Sequence, residues 1–294
     1  MTHDHDHDRG LGHDMTTMLS RRRALLVFGT ASAAALAACS SGTSAPALET
    51  AVSSSSAETA AAGTCVAAVP QETAGPYPGD GSNGPNVLIE SGIVRQDITT
   101  SFGSSTGTAD GVPTTVSMTL QDLTADCAPA VGMAVYLWHC NRDGEYSLYG
   151  DGITDQNYLR GIQVADASGK VSFTSIFPAC YSGRWPHIHF EVFESLEAAV
   201  AGESARLTSQ IAVPQEACAT VFDYDSGYSS STANLSKVSL ASDNVFGDGW
   251  DAELATVTGE PSSGMEVSIT IGVAAASENT AAAPSGGMGG PPPR

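Results

Sequence analysis

The sequence predicts an all-β fold, a β-sandwich of mostly antiparallel strands with one or two short helices and long loops. Short runs of alternating or β-branched residues recur between turn residues across the middle of the chain. The sequence also has no glycine-rich phosphate-binding motif and no alternation of strands with helices, which disfavours a doubly wound α/β fold. Residues 65–275 therefore have the size and pattern of one all-β domain.

Seven runs predict the strands of this sandwich. AVYLWHC is apolar on both faces, which is typical of a buried strand. The runs are TTVSMTL (114–120), AVYLWHC (134–140), YLRGIQVAD (158–166), KVSFTSI (170–176), HIHFEVF (187–193), LTSQIAV (207–213) and MEVSITIGV (265–273). Asp143-Gly144 predicts a tight turn, and short helices are predicted near residues 195–201 and 214–221.

Residues 1–39 are predicted to be a twin-arginine-type signal peptide with a lipobox. The run SRRRALL (20–26) resembles a twin-arginine export signal, and the apolar stretch after it is too short for a membrane span. That stretch ends in LAAC (36–39), which resembles a lipobox and predicts lipidation of Cys39. An ordinary cleaved signal peptide is the alternative. Both interpretations place the mature protein outside the cytoplasmic membrane, as a lipoprotein on its extracellular face or as a secreted protein.

The composition bounds the other segments and the partners. Residues 40–64 are rich in Ser and Ala and predict a disordered tether, and residues 276–294 predict a disordered Gly/Pro-rich tail. The chain has 32 acidic and 12 basic residues, for a formal net charge of −20. Such a surface repels nucleic-acid phosphates and anionic lipid headgroups. We therefore expect no nucleic-acid partner, and membrane contact only through an anchor at Cys39.

Five cysteines follow Cys39, and an exported protein favours disulfides among them. We expect Cys127 to pair with Cys140 and Cys180 to pair with Cys218. The odd number leaves at least one thiol without a partner in the chain.

The segment RWPHIHFEVF (184–193) places two histidines one residue apart in a predicted strand. Residues i and i+2 of a strand point to the same face, so His187 and His189 can reach one metal ion. Tyr181 precedes this strand, and Tyr146 follows a buried strand and a turn. A phenolate is a hard anionic ligand, and with imidazole it favours Fe(III) over zinc or copper(I). Taken singly, each of these residues is more typical of a sheet face or a loop.

Four motifs in order resemble one family. WHCNRDGEYS, YLRGIQVADASGKVSFTSIFPACY and GRWPHIHFEVF, with PQETAGPYP (70–78) upstream, are similar to the core of the intradiol ring-cleavage dioxygenases, the catechol and protocatechuate 3,4-dioxygenase group, in the manner of its exported, actinobacterial-type members. The resemblance covers residues 70–215 and extends more loosely to about 275.

The resemblance implies a site and its roles. It implies a mononuclear, non-haem Fe(III) held by Tyr146, Tyr181, His187 and His189. Arg184 matches an arginine that stabilises charge on the substrate, and Gln210 matches a polar strand residue close to that arginine. Tyr181 matches the tyrosine that leaves the iron and accepts a proton when the substrate binds.

Two features depart from a simple transfer of that site. Tyr149 and Tyr158 lie near Tyr146, so the first tyrosine ligand stays open between them, with the spacing from the preceding tryptophan favouring Tyr146. Five residues separate Tyr181 from His187, where family members have a longer loop. The short loop predicts a more open pocket, and a substrate copied from a family member is therefore not implied.

The activity implied by the resemblance is the insertion of both atoms of O2 into a catechol, opening the ring between the two hydroxyl-bearing carbons to a muconate-type diacid. One alternative is a non-catalytic β-sandwich lipoprotein that binds an extracellular ligand. Another is a zinc or copper enzyme that uses His187, His189 and Glu191, which share a strand face. Asp223-x-Asp225 and Ser242-Asp243-Asn244 are interpreted as ordinary loop residues.

Overall fold

The computed structural model describes residues 64–278. The predicted export signal, Cys39, and nearly all of the predicted tether and tail lie outside the described residues, so these predictions stay predictions. Within residues 64–278, no helix is both long and apolar enough to cross a membrane.

The described residues form nine strands and three α-helices. The strands are β1 (Pro113–Asp122), β2 (Ala128–Pro129), β3 (Ala134–Trp138), β4 (Arg160–Val164), β5 (Lys170–Ile176), β6 (His187–Phe193), β7 (Leu207–Ala212), β8 (Thr256–Glu260) and β9 (Gly264–Val273). The helices are α1 (Leu196–Val200), α2 (Gln215–Tyr224) and α3 (Ser231–Leu235). All seven predicted strands and both predicted helices are present. The sequence did not predict β2, β8 and α3, because β2 has two residues, β8 is largely exposed and α3 is a single turn or so with little apolar pattern.

The strands form two sheets, which confirms the predicted all-β sandwich. One sheet has the order β4-β3-β6-β7, with every neighbouring pair antiparallel. The other has the order β2-β1-β9-β8, and β5 also pairs with β1. The β1–β9 pair is parallel and the remaining pairs of this sheet are antiparallel.

The strand alternation of β6 fixes which way its histidines face. Ile188, Phe190 and Val192 are fully buried in the core between the two sheets. Burying a side chain of this size contributes about 1.5–3 kcal/mol. A slip of one residue would turn all three away from this core and turn His187 and His189 into it, so the register is strongly specified.

The outer face of the four-stranded sheet is buried as well. Tyr136 and Trp138 of β3 belong to a second apolar cluster, which also includes Ala199 of α1 and Val221 of α2. The histidines of β6 therefore lie beneath other parts of the chain.

The predicted disulfides are wrong. The structure joins Cys65 to Cys127, and Cys140, Cys180 and Cys218 are free and buried. Cys127 and Cys140 lie on either side of β3, whose extended length holds them apart. The three free thiols instead lie near backbone carbonyl oxygens, as Cys140 does with Ala179 at 3.7 Å.

Candidate metal centre

Three neighbouring strands supply the floor of the site. In the sheet register Trp138 of β3 lies opposite His189 of β6, and Gln210 of β7 lies opposite His189 on its other side. The Trp138 ring stacks on the His189 ring, with centroids 4.9 Å apart and an angle of 5° between the planes. His187 Nε2 and His189 Nε2 are 3.1 Å apart, as expected from two side chains on one strand face.

The two predicted tyrosines meet these histidines from different loops. Tyr146, in the β3–β4 connection, has its hydroxyl 3.3 Å from His187 Nε2, and the Tyr181 hydroxyl, from the β5–β6 connection, is 3.2 Å from the same atom. The turn predicted at Asp143-Gly144 makes this approach possible. Gly144 has a φ of +87°, and a Cβ there would lie 3.0 Å from the Tyr181 Cβ.

The other candidate tyrosines are engaged elsewhere. The Tyr149 hydroxyl accepts a hydrogen bond from the Gly79 N–H (3.0 Å) and donates one to Asn83 Oδ1 (2.8 Å). Tyr158 packs in a separate apolar cluster with Ala109, Leu159 and Ile176. The structure therefore brings Tyr146, and neither of its neighbours, to the histidines.

The polar atoms of this cluster cannot all satisfy one another. His187 Nδ1 lies 2.5 Å from the Trp185 carbonyl oxygen, which can only accept, so Nδ1 carries the proton and Nε2 presents a lone pair. That one lone pair faces His189 and two phenol hydroxyls, while His189 Nδ1 is buried without a partner. Atoms that share a first-row metal ion at about 2.0–2.1 Å lie about 3 Å from each other, as these do. Such a donor set fits a bound cation.

Tyrosine oxygens have to complete that donor set. Among the described residues, no group of three or more His, Cys, Asp or Glu side chains is placed to hold a metal ion. Glu191 accepts a hydrogen bond from Thr208 (3.1 Å), and burial raises the pKa of Glu191 to about 7. The zinc or copper site built on His187, His189 and Glu191 is therefore not supported.

Burial sets the protonation of the four candidate ligands. It lowers the pKa of His187 and of His189 well below the ordinary value, with Arg184 adding to the effect at both. Both imidazoles are thus neutral and can donate a lone pair. Burial also raises the pKa of Tyr146 well above its ordinary value and the pKa of Tyr181 to about 12. A metal ion that binds phenolates here must displace two protons.

Arg184 lies beside this cluster in a fixed position. Its Nη1 is 3.5 Å from His187 Nε2, and its Nη2 donates to Gln210 Oε1 at 2.7 Å. The predicted neighbours Arg184 and Gln210 are therefore brought together. Arg184 Nε also donates to Asp243 Oδ2 at 3.0 Å. From the sequence Asp243 was expected to be an ordinary loop residue, and no pattern around it signals this contact.

A covering segment, residues 71–79, closes the site from outside the sheet. Gly75 has a φ of +69°, and a Cβ there would lie 3.3 Å from His189 Cε1, so glycine permits this close approach. The Tyr77 ring lies 5.1 Å from the Tyr146 ring. Buried Arg160 holds the segment by donating to the carbonyl oxygens of Tyr77 (2.9 Å) and Pro78 (2.8 Å). Arg160 was predicted only as part of a strand, since no local pattern signals its contacts with residues 77 and 78.

The short loop between Tyr181 and His187 forms an exposed turn. Ser182 and Gly183 are exposed, and Tyr181 is half-buried, whereas Tyr146, His187 and His189 are each at most 3% exposed. Tyr181 is thus the candidate ligand nearest to solvent. The more open pocket predicted from the short loop stays a prediction.

Part of the chain is similar in sequence to known dioxygenases. The family profile described as Dioxygenase_C, Dioxygenase, matches residues 84–215, which include all six predicted site residues. Chlorocatechol 1,2-dioxygenase of Pseudomonas sp. (strain P51) is 37% identical over 87 residues, which is 24% of this chain and 34% of that protein. Chlorocatechol 1,2-dioxygenase of Rhodococcus opacus is 38% identical over 53 residues, 18% of this chain and 21% of that protein. The chain thus aligns with about a third or less of the length of these relatives.

A solved structure shares the fold over most of its length. The intradiol ring-cleavage dioxygenase from Tetranychus urticae superposes with a TM-score of 0.56 at 23% sequence identity. The superposition covers 71% of this chain and 95% of that structure. At this identity the likeness establishes a common sandwich fold.

Proposed function

Because the chain belongs to the intradiol ring-cleavage dioxygenase family, we propose that it is a non-haem Fe(III) enzyme acting on a catechol and O2. It would open the ring between the two hydroxyl-bearing carbons and release a muconate-type diacid. The observation that carries this proposal is the convergence of two phenol oxygens and one imidazole nitrogen within 3.1–3.3 Å of His187 Nε2.

Four side chains would hold the iron: Tyr146, Tyr181, His187 and His189. Two phenolates and two neutral imidazoles suit a hard, highly charged ion. When bound, Fe(III) would withdraw electron density from the catechol and so allow its direct reaction with O2. The same donor set argues against the non-catalytic lipoprotein, because a ligand-binding module has no need for four buried metal-binding atoms.

The remaining groups would bind, orient and move protons. Tyr181 would be a phenolate in the iron-loaded protein, so its Oη could take a proton from a catechol hydroxyl as the substrate enters. Arg184 Nη1 faces the donor atoms and would stabilise negative charge that develops on the substrate. Trp138 and the covering segment exclude water from the His189 side.

The charges around the site favour an uncharged catechol. Arg184 is already paired with Asp243, and burial raises the pKa of the nearby Glu72 to about 7, so Glu72 carries part of a negative charge at neutral pH. Arg160 donates to Tyr77 and Pro78 carbonyl oxygens. A substrate carboxylate would meet acidic groups without a new cation, so we expect kcat/KM for catechol to exceed that for protocatechuate at least about tenfold. Equal values would contradict this substrate preference alone.

A visible absorption spectrum with metal analysis tests the proposed function. We expect about one iron per chain and a tyrosinate-to-Fe(III) absorption band that shifts when catechol is added. Oxygen uptake should then accompany a ring-opened diacid, identified by mass spectrometry. A protein that stays colourless after reconstitution with iron, and consumes no O2 with any catechol, would contradict the proposal.

We also propose export and lipid anchoring through the segment ending at Cys39. Labelling with a radioactive fatty acid in cells should mark the wild type and leave Cys39→Ala unlabelled. Equal labelling of both proteins, or labelling of neither, would contradict a lipid anchor at Cys39.

A further inference from the structure

We propose that Asp243 is a positioning residue for the reaction: it holds Arg184, and with it the segment that leads into β6, against the metal-binding atoms. The inference rests on the proposed dioxygenase function. It assigns a role to a residue 59 positions away from Arg184, in a segment outside the matched family region.

The Asp243 carboxylate has both oxygens engaged. Oδ2 accepts from Arg184 Nε at 3.0 Å and from the Trp185 N–H at 2.7 Å. Oδ1 accepts from the N–H groups of Val245 at 2.9 Å and Phe246 at 3.2 Å. The side chain of Asp243 is 0% exposed and that of Arg184 is 10% exposed. A buried carboxylate with four donors around it has one orientation available.

The contacts of Arg184 with Asp243 and Gln210 leave Nη1 of the guanidinium facing the candidate ligands. Asp243 fixes Nε and Gln210 fixes Nη2, so Nη1 is left directed at the candidate ligands, 3.5 Å from His187 Nε2. An arginine side chain without these two contacts would have many rotamers available. Fixing it in advance means that its charge needs no reorganisation when negative charge develops on the substrate.

The same carboxylate also reaches the histidine through the backbone. Asp243 holds the Trp185 N–H, and the Trp185 carbonyl oxygen accepts from His187 Nδ1. Contacts of this kind fix the tautomer and the ring orientation of a metal-binding histidine. One side chain therefore sets both the arginine and the imidazole that faces it.

Asparagine cannot reproduce these contacts. An amide has one oxygen and an NH2 group that donates. The NH2 would face either Arg184 Nε and the Trp185 N–H or the N–H groups of Val245 and Phe246. Glutamate keeps the charge and both acceptors but moves them by one methylene. Asp243→Asn thus tests the loss of an acceptor oxygen, and Asp243→Glu tests its displacement.

A double-mutant cycle in the iron-loaded protein tests the proposal. We expect Asp243→Asn to lower kcat about 100-fold with KM, iron content and the tyrosinate band little changed. Asp243→Glu should lower kcat about tenfold. In an Arg184→Ala background, Asp243→Asn should lower kcat by less than about tenfold, because there is no guanidinium left to position and only the contact with the Trp185 N–H is lost. Asp122→Asn is the matched control, since it breaks another aspartate–arginine pair, the one with Arg206. The Arg206 backbone N–H donates to the Val192 carbonyl oxygen, at the end of β6 that is far from the histidines.

A purely structural role would give a different result. Asp243→Asn would then reduce kcat by the same factor with and without Arg184, and that additivity would overturn the proposal, as would full activity of Asp243→Glu. If Asp243→Asn fails to fold, Asp243→Glu carries the same cycle. The urea midpoints of the metal-free variants give a second readout, in which we expect the effects of the two positions to be non-additive. If the wild type binds no iron and cleaves no catechol, the proposed function fails, while these midpoints still report whether Asp243 and Arg184 are coupled.

Discussion

Two rows of side chains point away from the core shared by the sheets, and their surroundings differ. On the four-stranded sheet, the row Trp138, His189 and Gln210 is at most 3% exposed. On the five-stranded sheet, Ser117 and Ser268 lie side by side and are half-buried, and their neighbour Thr256 is exposed.

The difference shows what alternation along a strand means. Polar residues at every second position of a strand normally predict a solvent face. The row of Ser117 and Ser268 follows that rule. The row that contains His189 and Gln210, here called the histidine row, is polar and yet buried, because the covering segment lies over it. Buried polar groups need partners, and in the histidine row the partners fall short, since His189 Nδ1 and Trp138 Nε1 have none. A polar sheet face that is covered and incompletely paired is thus the structural sign of the site.

Removing a member of the buried row should have the largest effect. We expect His189→Ala to lose the iron and lower kcat/KM at least about 10⁴-fold, because the metal supplies the reactivity of the site. Iron content and O2 uptake measure this. The matched control is His139→Ala, since His139 is equally buried but lies near Ser175 (2.7 Å) and the Cys140 carbonyl oxygen. Loss of iron in both variants would indicate general unfolding instead.

A tyrosine substitution tests the candidate ligands that approach the same row from the loops. Tyr146→Phe removes one of the two phenol oxygens near His187, so we expect a weaker and shifted visible band and a kcat about 10³-fold lower. Tyr149→Phe removes a hydroxyl that binds Gly79 and Asn83, so it should keep the band and lose only stability. The reverse pattern would make Tyr149 the ligand.

The buried Glu253, which lies beside β7, should make the free energy of unfolding depend on pH, with an effect of intermediate size. Burial, with Glu72 adding to it, raises the pKa of Glu253 from 4.5 to about 8, and this side chain is 0% exposed. The folded state therefore keeps a proton that the unfolded chain releases, and stability falls as pH rises from about 5 to 8. This group alone accounts for about 3 kcal/mol of that loss.

Urea unfolding of Glu253→Gln across this pH range measures the effect. The variant cannot ionise, so its stability should fall by about 3 kcal/mol less than that of the wild type. Glu266→Gln, at an exposed position of β9, is the control and should follow the wild type. Parallel curves for wild type and Glu253→Gln would show that Glu253 is ionised in the folded protein.

The exposed row should show the smallest effect. Ser117→Val places a β-branched residue on a half-exposed strand position, so we expect the free energy of unfolding to change by no more than about 0.5 kcal/mol. Activity and iron content should stay at the wild-type level. A large loss in either quantity would mean that this face has a function of its own.

The sequence predicted what alternates or lies close together along the chain. The run HIHFEVF was enough to predict a strand and the common face of its two histidines, and the structure confirms both. Tyr146 and Arg184 were predicted from a resemblance, because no periodicity singles them out. The contacts of Asp243 with Arg184 and of Arg160 with Pro78 were missed, because they join residues 59 and 82 positions apart.

The disulfide prediction failed for the same reason. Spacing favoured neighbours in sequence, whereas the observed bond joins Cys65 to Cys127 across 62 positions. Such pairings depend on which parts of the chain the sheets bring together, and no local pattern encodes that. Cys140, Cys180 and Cys218, three of the four cysteines that the prediction had paired, are free and buried.

That disulfide also acts on a site to which it contributes no atom. The covering segment lies within the loop of the chain that the bond closes, so the bond limits how far the segment can move from the sheet. Closing a loop of this length lowers the conformational entropy of the unfolded chain and so stabilises the folded state by about 4 kcal/mol. A reductant in the buffer would therefore alter more than the melting temperature. With the bond cut, the covering segment is expected to lift more often, and entry of the substrate and escape of the product would both become faster, at the cost of letting water reach His189.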